Sequence, residues 1–345
     1  MKNVVKNVEK QSMSTRSQLP NVESRFPTSV HHSMNAIETH QLHRRFRRTV
    51  AVKALDLAIP QGIIYGLIGP DGAGKTTTLR MLAGVLKPSS GQARVLGQDV
   101  VRDPEALRPH LGYMPQHFSL YGDLSVLENL RFFAEIYGVP RKERAARIQR
   151  LLRFAQLEAF AQRPAAKLSG GMKKKLGLAC ALVHSPRILL LDEPTNGVDP
   201  VSRREFWDIL GELYLQGVTI LITTPYMDEA ERCNLVGLMF QGTIIQQGEP
   251  EALRRLAPGE LLVLYAPDLL RVEQLLARFP DILSLQVYGD RLHLFVADAQ
   301  ASRPRLEAFL RERGVAFTAL YQDEPRLEEA FVHLIRQAQA RQAAA

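Results

Sequence analysis

Ile63-Ile64-Tyr65-Gly66-Leu67-Ile68-Gly69-Pro70-Asp71-Gly72-Ala73-Gly74-Lys75-Thr76-Thr77 decides how the rest of this 345-residue chain is read. Residues 63–68 are an apolar run of strand length, and 69–76 match the phosphate-loop pattern G-x4-G-K-[ST]. The spacing has a physical reason. Small residues let successive backbone N–H groups curl around phosphate oxygens, and a helix opening near Lys75 aims its positive end at them. Lys75 is placed to reach the β and γ phosphates, and the Thr76 hydroxyl to ligate magnesium. Gly69, Pro70, Asp71, Gly72, Ala73, Gly74, Lys75, Thr76 and Thr77 are therefore the expected ATP-binding loop, with Mg2+ as its companion.

A second stretch, Ile188-Leu189-Leu190-Leu191-Asp192-Glu193, is an apolar strand ending in two carboxylates. Asp192 is suited to hold magnesium and Glu193 to polarise an attacking water. Acids at a strand end are common, and alone they read as solvated. Beside a phosphate loop, catalysis is the better reading.

Strand-like and helix-like segments alternate from residue 36 to about 255, which predicts α/β architecture on a mainly parallel sheet. From 126 to 160 the pattern turns helical and amphipathic, so a helix-rich insert, roughly 117–180, interrupts the phosphate-binding fold. Beyond Pro258 the texture changes to strand 260–266, helix 269–279, a hairpin turning at Gly289-Asp290, helix 303–313, strand 316–321 and helix 326–337. That β-α-β-β-α-β order predicts a small α+β, ferredoxin-like accessory domain. The expected limits are a disordered tail over 1–34, the nucleotide-binding domain over 35–257, the accessory domain over 258–338 and a frayed tail over 339–345.

Composition is that of an ordinary globular chain, 46% hydrophobic and 23% charged. No stretch approaches the roughly 18–20 apolar residues of a membrane span, so any membrane role needs another polypeptide. The net charge of +8 is dispersed apart from 44–48 and 173–175. No groove-reading motif accompanies it, and no nucleic-acid partner is expected. Lys173, Lys174 and Lys175 read as a solvated helix face. Cys180 and Cys233 stand alone and read as reduced, buried thiols of a cytoplasmic protein.

Leu168-Ser169-Gly170-Gly171-Met172 resembles the signature motif of ATP-binding-cassette (ABC) ATPases, and the resemblance spans about 36–255. It implies a P-loop NTPase fold whose helical insert carries the signature. It also implies that Phe46 stacks on adenine and that Gln116, in Tyr113-Met114-Pro115-Gln116, contacts magnesium and the attacking water. Phe46 has a plainer reading as a packing aromatic, and Ser169 as a helix cap. Gly197-Val198-Asp199-Pro200 matches the loop that crosses between subunits. In such enzymes two ATPase units, two copies of one chain or a chain and a relative, pack head to tail, so Ser169, Gly170, Gly171 and Asp199 serve the other unit's nucleotide. The implied catalytic set is Glu193, Lys75 and Gln116, and the metal set Thr76, Gln116 and Asp192.

One position departs from the family. Pro225 stands where a histidine usually bonds the γ-phosphate, and proline offers neither a side-chain donor nor an N–H. Asp71, where the family often has asparagine, is a milder change. Residues 112–116, 191–200, 224–230 and 325–331 look most like ABC-2-type, drug-resistance exporter ATPases. The resemblance thus implies an ATPase subunit at the cytoplasmic face of the inner or plasma membrane. It would drive a separate multi-spanning permease, docked beside Gln116 and residues 117–130, that exports drugs or other small hydrophobic compounds. Two rival readings are a nucleotide-gated, weakly hydrolysing partner of a competent ATPase, and a soluble ABC ATPase acting on nucleic acid or ribosomes. The latter usually carry two cassettes or long coiled coils, and this sequence has one cassette and no heptad run.

Overall fold

Three strands of the central sheet are buried at every residue, and that burial explains the apolar runs 188–191 and 220–222 within them. The computed structural model describes residues 35–117 and 120–344, with side chains through 341. The chain opens with β1 (Asn35–Phe46), β2 (Thr49–Pro60), β3 (Ile64–Ile68), α1 (Lys75–Leu82), β4 (Ser90–Val95) and β5 (Gln98–Asp99). There follow α2 (Pro104–Leu107), β6 (Leu111–Met114), α3 (Val126–Ile136), α4 (Arg141–Phe154), α5 (Gly170–Leu182) and β7 (Ile188–Asp192). Then come α6 (Pro200–Leu215), β8 (Thr219–Thr224), α7 (Met227–Ala230), β9 (Leu235–Phe240), β10 (Thr243–Gly248) and α8 (Pro250–Arg254).

The central sheet runs β10-β9-β3-β8-β7-β6. Its strands are parallel from β9 to β6, and β10 is an antiparallel edge. β3, β7 and β8 are the strands buried throughout, as a parallel sheet covered on both faces requires. Because these strands are parallel, their C-terminal ends share one edge. The phosphate loop leaves β3 there, Glu193 follows β7, Gln116 follows β6 and Pro225 follows β8. The topology itself assembles the site.

A second sheet, β2-β1-β4-β5, is wholly antiparallel, so the expectation of a mainly parallel sheet holds for the central sheet alone. Its inner face, including Ile37, Leu42, Leu57 and Ile59, packs on Leu79 and Leu82 of α1. Bulges with positive φ at Gln41 and Ala54 break the alternation of β1 and β2.

The helical insert is α3, α4 and the first turns of α5, around Leu130, Ile148, Leu152 and Leu176. Ser125 and Glu128 form a capping box that fixes the start of α3. Further along α5, Leu178 and Leu182 belong to the core of the central sheet with Leu189 and Leu191. One helix therefore joins the insert to the sheet. That position overturns the solvated-face reading for Lys174 and Lys175. Lys175 is 6% exposed, and its ammonium bonds the carboxylate of Glu205 and the side-chain oxygen of Gln156.

The last segment comprises β11 (Glu260–Tyr265), α9 (Leu269–Leu276), β12 (Ile282–Tyr288), β13 (Arg291–Val296), α10 (Ala299–Glu312), β14 (Ala319–Asp323) and α11 (Leu327–Ala344). Its antiparallel sheet has the order β12-β13-β11-β14. α9 and α10 cover one face, through Val272, Leu276, Leu306 and Leu310. On α11, Glu329 bonds the buried His293 of β13, while Leu327 and Phe331 enter the core that holds Val236 and Leu253. The described residues thus form one compact unit, and the boundary expected at 257/258 marks a change of sheet. Two helices are longer than expected. α10 begins at Ala299 because Asp298 accepts the Ala301 N–H at 2.9 Å and caps it. α11 continues past 337 to Ala344, through alanine, glutamine and arginine, all strong helix formers. The tail expected over 1–34 lies outside the described residues.

Candidate functional site

The phosphate loop keeps its path because two glycines admit neighbouring backbone. A Cβ on Gly69 would stand 2.1 Å from the Met239 carbonyl oxygen, and one on Gly74 would stand 2.4 Å from that of Ala51. Gly74 also has φ 111°, which L side chains rarely adopt. Gly69→Ala is expected to cost about 2–3 kcal/mol by overpacking and to displace the loop from β9. Thermal unfolding and nucleotide titration check this: the melting temperature falls and nucleotide binding is lost. Behind the loop, the Lys75 ammonium is 4% exposed and donates to the carbonyls of Gly69 at 2.8 Å and Pro70 at 3.1 Å. It also lies 3.4 Å from Glu193 Oε1.

Asp192 ends β7 opposite Thr223 of β8. Its Oδ1 accepts the hydroxyls of Thr76 and Thr223, each at 2.9 Å, while the buried Oδ2 has no partner among the described residues. Burial pushes the Asp192 carboxyl up from the ordinary carboxylate range. A buried, orphaned carboxylate oxygen beside a threonine hydroxyl is the donor set a hard divalent cation satisfies, so Asp192 and Thr76 fit magnesium.

Glu193 has φ 45°, a left-handed conformation that costs a non-glycine residue about 1 kcal/mol or more. Its N–H donates to Thr223, to the carbonyl at 3.1 Å and the hydroxyl at 3.0 Å, which holds the turn. The side chain is held as tightly. Oε2 accepts Gln116 Nε2 at 2.7 Å and Asn196 Nδ2 at 3.0 Å. Lys174 of α5 donates to the carbonyl oxygens of Gln116 at 2.7 Å and Glu193 at 3.3 Å, and burial lowers its pKa.

Thus Lys75, Thr76, Gln116, Asp192 and Glu193 meet at one sheet edge. Phe46, at the end of β1, is 42% exposed with the Arg44 guanidinium 4.5 Å from its ring centre. Ser169 caps α5 by accepting the Met172 N–H at 3.3 Å, as its plainer reading required. Gly171 admits α6 closely, for a Cβ there would stand 2.6 Å from Ser202. Asp199 caps α6, and the Ser202 N–H it accepts holds its carboxyl below the ordinary range. Among the described residues, no hydrogen bond joins Ser169, Gly170, Gly171 or Asp199 to residues 69–77.

Sequence reasoning missed Thr223, Asn196 and Lys174. Thr223 was legible in part, since a threonine ending the strand beside an acidic strand end is placed to bond it. Nothing in three consecutive lysines singled out Lys174. Beside Gln116, a groove runs between the sheet and the insert, with Met114, His117, Leu120, Phe133 and Tyr137 in its walls.

Residues 52–196 match the family model described as ABC transporter. The chain is 44% identical over 287 residues to the probable multidrug ABC transporter ATP-binding protein YbhF of Escherichia coli K12, covering 83% of this chain and 49% of that protein. It therefore spans about half the length of that relative. It is 38% identical over 274 residues to the Nod factor export ATP-binding protein I of Paraburkholderia xenovorans LB400, covering 79% of this chain and 90% of that one. Among solved structures, cbiO1 of Clostridium perfringens, described as part of the ABC transporter complex cbiONQ, superposes with TM-score 0.59 at 28% identity, covering 71% and 96% of the two chains. A dimeric ATP-binding cassette bound to ADP and Pi, MJ0796, gives TM-score 0.58 at 25% identity, covering 62% and 98%.

Proposed function

The chain belongs to the ABC transporter family of ATP-binding proteins, and on that premise we propose that it is the ATP-hydrolysing subunit of a membrane exporter. The observation that carries this reading is the Glu193 carboxylate, gripped by Gln116 and Asn196 and set 3.4 Å from the Lys75 ammonium at the phosphate loop. In this role Glu193 takes a proton from the attacking water while Gln116 orients that water. Lys75 leaves the Gly69 and Pro70 carbonyls for the β and γ phosphates, which the N–H groups of 69–77 surround. Phe46 offers an open ring face to adenine. Thr76, Asp192 and Gln116 hold magnesium, which when bound neutralises phosphate charge.

A second copy of the chain supplies Ser169, Gly170, Gly171 and Asp199 to this site. The exposure of Ser169, Gly170 and Asp199 at the starts of α5 and α6, two helix N-termini that favour anions, supports a partner's nucleotide as what they meet, with Gly171 buried behind them against α6. Among the described residues no helix is long and apolar enough to cross a membrane. The partner in this reading is a multi-spanning permease. The groove beside Gln116 suits one of its helices. Residues 258–338 act as an accessory domain, and the complex sits at the cytoplasmic face of the membrane. The names of the relatives, multidrug and Nod factor export, support outward transport of drugs or other small hydrophobic compounds. Pull-down of the tagged chain from native membranes tests this: a multi-spanning partner co-purifies and raises its ATP turnover. Recovery of the chain without any membrane partner counts against the exporter.

Pro225 favours a second reading, in which the chain binds nucleotide but turns it over weakly beside a more competent partner. Restoring the missing donor separates the two. Pro225→His is expected to raise kcat, by as much as about 100-fold, with KM for ATP little changed. An unaltered rate in a steady-state phosphate-release assay shows that other donors already serve the γ-phosphate and removes the argument for the weak partner.

A further inference from the structure

We infer that Lys174 is a positioning residue for hydrolysis: its ammonium pins together the two loops that carry Gln116 and Glu193. The inference rests on the hydrolytic reading of the site. Gln116 follows β6 and Glu193 follows β7, and their side chains meet through a single 2.7 Å hydrogen bond. A side-chain bond between two loops fixes geometry only as well as the loops themselves are fixed. Lys174 supplies a second restraint, on the main chain of the pair. Its three-donor head reaches both main-chain carbonyls, Gln116 at 2.7 Å and Glu193 at 3.3 Å, so backbone and side chain are tied at both residues.

The tether comes from a third element. α5 packs its later turns into the core of the central sheet, through Leu178 and Leu182, and its Ser169 cap stands one turn before Lys174. Lys174 also lines the groove beside Gln116, so one side chain spans from groove wall to catalytic loops. Two carbonyl acceptors and the nearby Asp192 and Glu193 carboxylates offset part of the cost of partly burying an ammonium. A surface lysine has no need of such an arrangement, and sequence reading had placed Lys174 on a solvated face.

Lys174→Met keeps the alkyl stem and removes the donors, and Lys174→Arg restores donors of similar reach. With Lys174→Met, kcat for ATP is expected to fall about tenfold while the Kd for ATP stays within about twofold. Lys174→Arg is expected to recover most of the rate. Independently of turnover, hydrogen exchange of the nucleotide-free protein should quicken in peptides covering 112–117 and 192–197 and stay unchanged over 69–76. Wild-type turnover by Lys174→Met, or unaltered exchange in both peptides, overturns the proposal. So does a general loss of protection, which marks a merely structural role. If the wild-type chain itself hydrolyses nothing, the hydrolytic reading fails, and the exchange arm still shows whether the tether exists.

Discussion

Glu193→Gln is expected to lower ATP turnover about 1,000-fold while leaving ATP affinity within about threefold. Glutamine fills the same space and can still bond Asn196 and Gln116, so the turn at φ 45° and the Thr223 contacts remain. What disappears is the basic oxygen near Lys75 and the phosphate loop. Since binding and closure precede chemistry, the variant should accumulate as an ATP-bound dimer. Phosphate release measures the first effect and gel filtration with ATP the second. Residual turnover above about a tenth of wild type assigns the proton transfer to another group.

Lys75→Met is the second large effect, and it falls on binding. The ammonium now rests on the Gly69 and Pro70 carbonyls, already desolvated and aimed along the loop. A charge-assisted bond to phosphate in such a place contributes about 2–3 kcal/mol, so ATP affinity should drop about 100-fold. The same change leaves the buried Gly69 carbonyl without its donor, while Pro70 keeps the Ala73 N–H, and leaves Glu193 without its counter-charge, so stability falls by about 1–3 kcal/mol. Calorimetric titration with ATP gives the first quantity and denaturant unfolding the second. Unchanged affinity means the loop backbone alone carries the phosphates.

Much of this site was legible in the sequence because its parts are local. A phosphate loop needs its glycines and lysine at fixed spacing, and the acidic strand end needs only an apolar run before Asp192 and Glu193. The parallel sheet then brings the two together, and alternating elements foretold that sheet. What escaped reading depends on packing at a distance. Lys174 and Lys175 look like a solvated face until α5 is seen passing from the insert into the sheet core, where Glu205, Gln156 and the catalytic loops receive them. The bulged strands β1 and β2 do not show a clean alternation, so their antiparallel sheet was invisible. The last helix outran its expected end because capping signals, absent there, mattered less than helix propensity.

The central claim is a nucleotide site completed by a second copy of the chain, and complementation tests it most directly. Take Glu193→Gln, which removes the base, and Ser169→Arg, which fills the signature the partner must present. Each variant alone should be inactive. In a mixed head-to-tail dimer both lesions fall in one site and the other site is intact. Mixing equal amounts should therefore restore about a quarter of the wild-type turnover, since half the dimers are mixed and each has one live site. A mixture as inactive as its components, or a Ser169→Arg protein that hydrolyses ATP at the wild-type rate, contradicts the shared site.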